Sequence, residues 1–220
     1  MMRRMENKPD LAGRRPLKSR ATAWAEGLSR VLVRSGVSAN MISVFSAVFA
    51  LVAAAILAGV GQDWWPRLWL LAAAVFIQLR LVCNLMDGMV AIEGGKKTAT
   101  GDLFNEVPDR IADVAILAGA GLCAFCQPWG THLGWLAAAL AVMTAYTRMQ
   151  GATLTGKHDF RGPMAKPQRM ALVTAVCLVG AFIPDHVDVF FWALVVMVLG
   201  EIITMWRRLN GISAHLKETS

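Results

Sequence analysis

Charged side chains are scarce in this chain of 220 residues. Asp, Glu, Lys and Arg make up 17% of it, whereas hydrophobic residues make up 56%. A soluble domain of this size carries roughly a quarter charged residues. Together with a mean hydropathy of +0.49, this composition excludes a disordered chain, a coiled coil and a secreted disulfide scaffold. It favours a polytopic membrane protein.

Cysteine is also too sparse to organise the structure. Cys83, Cys123, Cys126 and Cys177 all lie in apolar stretches, which is typical of small buried side chains. The lone C-x-x-C of Cys123 and Cys126 lacks the second pair of a zinc site. No apolar h-region with a small-residue cleavage site follows the first basic residues, so we expect no cleaved signal peptide.

Six apolar stretches account for most of the chain, and each is close to the roughly 20 residues that a spanning helix needs. They cover approximately residues 41–60, 68–86, 107–126, 133–147, 170–184 and 189–206. The predicted fold is therefore all-α: six transmembrane helices within residues 38–208. A basic tail and juxtamembrane helix (residues 1–37) precede them, and a cytoplasmic tail (residues 209–220) follows.

The segment before the first apolar stretch is basic and amphipathic. Residues 1–37 contain nine of the 22 Lys and Arg residues. Between residues 16 and 35, apolar residues recur at helical spacing, among them Trp24, Leu28 and Leu32. This pattern predicts an amphipathic helix on the cytoplasmic face of the bilayer. A plain juxtamembrane tether is the open alternative.

The basic residues also alternate between the connecting loops. Arg67 is the single Lys or Arg in the first, third and fifth connections, whereas the second and fourth are basic. By the positive-inside rule, both termini and the two basic loops are cytoplasmic. We therefore assign the net charge of +7 to topology in the cell (inner) membrane and expect no nucleic-acid partner.

Two polar helix faces flank the second loop. Asn84, Asp87, Gly88 and Ala91 share one face, and Gly101, Asn105, Asp109 and Asp113 step by four along another. Carboxylate and amide oxygens are the ligands that Mg²⁺ and Mn²⁺ prefer, and glycines leave room for a bulky ligand. The pattern predicts a Mg²⁺ or Mn²⁺ site at the cytoplasmic surface, where a metal would bridge a diphosphate.

The spacing of these residues resembles a known signature. Asn84-x-x-Asp87-Gly88-x-x-Ala91, nine residues, and Gly101-x-x-x-Asn105-x-x-x-Asp109 is similar to D-x-x-D-G-x-x-A-R, eight residues, G-x-x-x-D-x-x-x-D of the CDP-alcohol phosphatidyltransferase family. Segments beginning at Ser38, Tyr146 and Gly162 resemble further family motifs. The chain departs from the signature at Asn84 and Asn105, which replace two aspartates, and at Ile92, which replaces the arginine.

The resemblance implies a membrane enzyme of phospholipid biosynthesis. Such enzymes transfer a phosphatidyl group from a CDP-linked lipid, such as CDP-diacylglycerol, to an alcohol acceptor and release CMP. They use two divalent metals and usually form homodimers. The run Asp109-Arg110-Ile-Ala-Asp113 resembles that of the phosphatidylinositol and phosphatidylinositol-phosphate synthase branch. A phosphorylated polyol is therefore the first expectation for the acceptor, and glycerol phosphate the second.

The resemblance also assigns roles to residues. Asp87 and Asp109 are the candidate catalytic residues, Asp109 as general base. The candidate metal ligands are Asn84, Asp87, Asn105 and Asp109, with Glu106, Asp102 or Asp113 available to replace a lost charge. Gly88, Ala91 and Gly101 are expected to line the nucleotide site, with Lys96 or Lys97 in place of the missing arginine. The candidate acceptor-binding residues are Arg110, Arg148, Lys157, Arg161, Lys166 and Arg169.

Several alternatives stay open at this stage. The two asparagines also fit a catalytically weak relative that binds lipid or nucleotide as a membrane subunit. The same amides can serve helix packing, and the loop lysines can be topological charge only. A transporter ranks last, because the outer halves of the helices are almost wholly apolar.

Three charges lie inside the apolar stretches: Arg80, Asp113 and Glu201. An unpaired charge at the bilayer centre costs at least about 2.5–3.5 kcal/mol. Arg80 is one turn deeper than Asn84, and Asp113 is one turn deeper than Asp109, so we predict a structural Arg80–Asp113 ion pair beneath the site. The alternatives are a pair with Glu201, or an Arg80 that snorkels to the interface.

Overall fold

The structure is a computed structural model that describes residues 22–93 and 101–219. The described chain forms seven α-helices and no strand, which confirms the all-α prediction. They are α1 (Ala23–Arg34), α2 (Ala39–Gly61), α3 (Trp69–Glu93), α4 (Gly101–Cys123), α5 (Gly130–Thr155), α6 (Lys166–Gly180) and α7 (His186–Thr219). Helices α2 to α7 correspond in order to the six apolar stretches.

Local chemistry sets several helix ends. Ser38 caps α2, because its hydroxyl accepts a hydrogen bond of 3.2 Å from the backbone N–H of Met41. Gly156 ends α5 in the left-handed conformation, with φ +69°, where a Cβ would be strained. Pro167 lies in the first turn of α6, where its missing N–H costs nothing. These caps fix where the loops leave the bundle.

Helix α1 packs against the end of α3. Its buried Ala25 joins Met86, Met89 and Val90 in a small apolar cluster, whereas Trp24 is half exposed. The helix covers the second half of the predicted amphipathic segment. Residues 16–21 of that segment lie outside the described chain. Helix α1 therefore sits directly beside the polar end of α3.

The main core lies between α2, α3, α4, α5 and α7, with α6 packed against α3 and α7. Small residues bring α4 close to both of its neighbours. A Cβ added at Gly119 would lie 2.9 Å from the Cα of Ala54 on α2, and one at Gly121 would lie 2.7 Å from the Cα of Gly134 on α5. Such close backbone contact is typical of helices packed in membranes.

Three of the described helices are long and apolar enough to cross a membrane: α2, α3 and α7. Helix α6 has 15 residues and is about 22 Å long, shorter than a hydrocarbon core of about 30 Å. Helix α7 has 34 residues and is about 51 Å long, so it continues through the predicted tail. Large apolar side chains such as Phe45, Leu199 and Trp206 are exposed, as expected for a protein integral to the membrane.

Candidate functional site

The polar face of α3 is held by two serines of α2. The Ser43 hydroxyl donates to Asp87 Oδ2 at 2.9 Å, and the Ser46 hydroxyl donates to Asn84 Oδ1 at 2.8 Å. Sequence reasoning assigned no role to these hydroxyls. Their signal was present, because residues 43 and 46 share one face of an otherwise apolar helix. The serines orient the side chains that the motif singles out.

Asp87 is buried, with 4% of its surface exposed. Its Oδ2 accepts from Ser43, but its Oδ1 has no hydrogen-bond partner among the described residues. A buried carboxylate oxygen without a donor is costly. Asn84, one turn earlier on the same face, has its Oδ1 on Ser46, and its amide nitrogen has no acceptor in the described chain. Asp87 Oδ1 therefore fits an external cation.

Asp109 has a different environment. Lys166 donates a hydrogen bond to its Oδ2, and Arg80 and Arg110 approach its carboxylate to 3.7 and 3.8 Å. Glu106, one turn earlier, pairs with Arg148 at 2.7 Å and with Arg110 at 3.6 Å. We call these five residues the Asp109 cluster: Glu106, Asp109, Arg110, Arg148 and Lys166. It joins α4 to α5 and α6.

A second set of charges lies beneath the Asp109 cluster. Arg80 Nη2 is 2.5 Å from Asp113 Oδ1, so the structure contains the ion pair expected from the sequence. Arg169 also contacts Asp113, at 2.8 Å, and reaches Glu201 at 3.3 Å. The side chains of these four residues, the buried network, are at most 2% exposed. It ties α3, α4, α6 and α7 together.

The structure brings together only some of the predicted acceptor-binding residues. Arg110, Arg148 and Lys166 meet in the Asp109 cluster. Arg169 departs from the expectation, because it is buried in the network and already holds two carboxylates. Arg161 also departs from it: its side chain is 72% exposed and pairs with Asp159.

The loop between α5 and α6 has its own anchors. Arg208 on α7 donates to the carbonyl oxygens of Arg161 at 3.0 Å and Thr144 at 2.6 Å. Partial burial raises the pKa of Asp159, but hydrogen bonds from Arg161 outweigh it and lower that pKa below its ordinary value. The loop, which includes the exposed Lys157, is therefore fastened to α7. Its Phe160 ring lies 5.7 Å from the guanidinium carbon of Arg148, so the loop also contacts the Asp109 cluster.

The remaining predicted residues lie near the facing ends of α3 and α4. Gly88 is buried, and Ala91, Gly101 and Asn105 are partly buried. Lys96 and Lys97 fall outside the described residues, and so does the side chain of Asp102. Contact between these lysines and the nucleotide therefore stays a prediction.

The fit of a metal can be judged from the donor set. Within residues 22–93 and 101–219, no three His, Cys, Asp or Glu side chains come together as a metal-ligand group. Asp87 still offers a free buried oxygen, with the amide of Asn84 one turn away on the same face. Hard oxygen ligands of this kind suit Mg²⁺ or Mn²⁺. The described residues therefore fit one divalent cation.

No protein-family model matches the chain, but individual membrane proteins are similar to it in sequence. It is 25% identical over 179 residues to the inner membrane protein YnbA of Escherichia coli (strain K12), covering 81% of this chain and 84% of that protein. It is 23% identical over 203 residues to the phosphatidylinositol phosphate synthase of Mycolicibacterium smegmatis, covering 84% and 82%.

Solved structures with the same fold are complexes of the Mycobacterium tuberculosis phosphatidylinositol phosphate synthase. The complex with manganese and citrate has a TM-score of 0.70 and 20% identity, covering 86% of this chain and 88% of that one. The structure with CDP-DAG bound has a TM-score of 0.70 and 19% identity, covering 86% and 92%. These likenesses establish the fold.

The comparisons confirm the resemblance to the CDP-alcohol phosphatidyltransferases, because phosphatidylinositol phosphate synthases are members of that family. The name of the Mycolicibacterium smegmatis relative agrees with the predicted transferase class. The Mycobacterium tuberculosis synthase has been solved with CDP-DAG in one structure and with manganese in another. The similarity to an inner membrane protein supports integral membrane location.

Proposed function

We propose that this chain transfers a phosphatidyl group from CDP-diacylglycerol to an alcohol acceptor and releases CMP in phospholipid synthesis. The observation that carries the proposal is the position of Asp87 and Asp109, the two signature aspartates that this chain retains. Asp87 presents a buried, unpaired oxygen, and Asp109 lies in a cluster of basic side chains. Support comes from similar proteins that are named phosphatidylinositol phosphate synthases, one of which has been solved with CDP-DAG bound.

Each aspartate has a separate role in this proposal. Asp109 accepts the proton of the acceptor hydroxyl, whose oxygen forms the new bond to phosphorus while the bond to CMP breaks. Lys166 and Arg80 contact the Asp109 carboxylate and orient it for that proton. Asp87, with Asn84, is the proposed holder of a divalent cation, which would supply charge stabilisation for the diphosphate.

The acceptor is proposed to be a phosphorylated polyol. Arg110, Arg148 and Lys166 surround two carboxylates in the Asp109 cluster. Arginine and lysine are the residues that bind phosphate groups. A phosphate that enters the cluster would share these donors with Glu106 and Asp109 and bring the acceptor hydroxyl close to the base. Glycerol phosphate is the second candidate.

The membrane arrangement belongs to the same proposal. Helices α2 to α7 are proposed to span the membrane, with α1 on the cytoplasmic interface and both termini cytoplasmic. Helices α4, α5 and α6 do not have the length and composition of an isolated span. Each packs against neighbours: α4 between α2 and α5, α5 against α4 and α7, and α6 against α3 and α7. The catalytic unit covers residues 38–208 and is proposed to act as a homodimer.

The alternative is a catalytically weak relative that binds lipid or nucleotide as a membrane subunit. It is favoured by one specific observation: asparagines occupy positions 84 and 105, where the family signature has aspartates. This alternative and the enzyme share the fold and the site, so only turnover separates them.

The deciding experiment measures CMP release from CDP-diacylglycerol by the protein in detergent–lipid micelles, with Mg²⁺ or Mn²⁺. Inositol phosphate, glycerol phosphate, inositol and glycerol are offered as acceptors. We expect release with a phosphorylated polyol and its loss in Asp109→Asn. The matched control is Asp63→Asn, since Asp63 lies between α2 and α3, remote from the Asp109 cluster. No release with any acceptor, despite measurable nucleotide binding, would favour the subunit.

A further inference from the structure

Among the described residues, the site and the buried network contain equal numbers of acidic and basic side chains. Five acidic side chains belong to the site and to the buried network: Asp87, Glu106, Asp109, Asp113 and Glu201. Five basic side chains stand against them: Arg80, Arg110, Arg148, Lys166 and Arg169. Each divalent cation adds two positive charges to this neutral set, so two cations would leave it with a large excess.

The carboxylates also differ in what they can still bind. Asp109, Glu106 and Asp113 each have at least two basic partners within 3.8 Å. No basic side chain in the described part of the chain forms an ion pair with Asp87, and its Oδ1 is both buried and unpaired. Glu201 also has buried oxygens without a hydrogen-bond partner, but it lies in the buried network and has Arg169 at 3.3 Å. Among the described residues, Asp87 is therefore the carboxylate of this set that has no basic partner.

The position next to Asp109 is already taken by a cation of the protein. Lys166, at the start of α6, is hydrogen-bonded to Asp109 Oδ2 across 57 residues of sequence. The adjacent signature position is Asn105, a neutral amide one turn before Asp109. A metal at Asp109 would have to displace the ammonium group and would gain no carboxylate from residue 105.

We propose that the site holds a single divalent cation, on Asp87, and that the ammonium group of Lys166 takes the place of a second cation at Asp109. This inference deepens the proposed function and names the cation count on which it depends. The cation is a hard one, Mg²⁺ or Mn²⁺, that keeps several water ligands because the site offers it one carboxylate.

The test counts Mn²⁺ per chain on purified protein in detergent micelles by electron paramagnetic resonance, without substrate. Binding removes the sharp signal of free Mn²⁺, and two ions about 3.5–4 Å apart would couple magnetically and broaden the spectrum. We expect one uncoupled ion per chain and at least tenfold weaker binding in Asp87→Asn. Two ions, no ion, or unchanged binding in Asp87→Asn would each overturn the proposal.

A second pair of variants tests the role of Lys166. Lys166→Met combined with Asn105→Asp frees Asp109 and adds a carboxylate beside it, so we expect a second, magnetically coupled ion. The matched control combines Asn105→Asp with Lys217→Met, an exposed lysine at the end of α7, and should still bind one ion. A folded test variant that binds one ion overturns the role given to Lys166. Absence of CMP release with one ion bound would refute the transfer reaction and leave the count intact.

Discussion

The Arg80–Asp113 contact offers the sharpest test of how the bundle is held together. Both side chains are at most 1% exposed, and their charged atoms are 2.5 Å apart. Removing one partner of a buried ion pair costs about 3–5 kcal/mol, because the other charge stays buried and uncompensated. Asp113→Asn should fall at the upper end of that range, because it removes the nearest carboxylate from both Arg80 and Arg169. Arg80→Met should cost less, since Asp113 keeps Arg169.

The double variant Arg80→Met, Asp113→Asn restores the charge balance. It leaves Arg169 with Glu201, 3.3 Å away, and adds no unpaired charge. We therefore expect its cost to be at least about 1–2 kcal/mol below the sum of the two single variants, within the coupling range of contacting residues. The free energy of unfolding is measured by SDS titration of the protein in mixed micelles.

The matched control is a partly exposed pair on the same helix. Glu106 and Arg110 are 34% and 23% exposed at the side chain and lie 3.6 Å apart. Glu106 keeps Arg148 at 2.7 Å when Arg110 is removed, so the coupling between Glu106→Gln and Arg110→Met should stay below about 0.5 kcal/mol. If the buried pair is also additive within about 0.5 kcal/mol, the two charges do not interact and the reasoning fails.

Three further outcomes follow from the site and its loop. Asp109→Asn should lower kcat for CMP release at least about 100-fold, the usual contribution of a general base, with binding of CDP-diacylglycerol retained; turnover near the wild-type value would remove Asp109 from catalysis. Asn84→Asp should tighten Mn²⁺ binding severalfold, because it adds a charge beside Asp87; weaker binding would mean that the amide serves as a hydrogen-bond donor. Arg208→Met should speed tryptic cleavage after Arg161, since it removes the hydrogen bond to that residue's carbonyl; an unchanged rate would show that the loop is held elsewhere.

The helices and one ion pair could be predicted from the sequence because their signals are local. Hydropathy marks each apolar stretch, and helical periodicity places Arg80 and Asp113 at the same depth. Arg169 could not be placed in this way, because a basic residue after a cytoplasmic loop carries the same signal whether it faces water or a buried carboxylate. Its position depends on how α6 docks against α4 and α7, which is a property of the packed bundle.

The contact of Lys166 with Asp109 also depends on how the helices pack and could not be predicted from the sequence. These residues are separated by the rest of α4, helix α5 and two loops, and nothing in their sequence spacing predicts a contact. The serines of α2 were visible as a polar pair in an apolar helix, but their acceptors on α3 were not. In each case the sequence could not predict how one helix is rotated about its axis relative to its neighbour.

The contact between helices α4 and α5 is made by different kinds of residue at its two ends. At one end Gly121 and Gly134 touch with no side chain between them. About 22 Å away along the axis, the same helices are bridged by two of the longer side chains, Glu106 and Arg148. The glycine contact is the narrow end of this helix pair, and the proposed reaction site lies at the other end. A methyl group added at Gly121 or Gly134 would push α4 and α5 apart. These two glycines, remote from the proposed chemistry, can therefore set the spacing of the helices where a headgroup would bind.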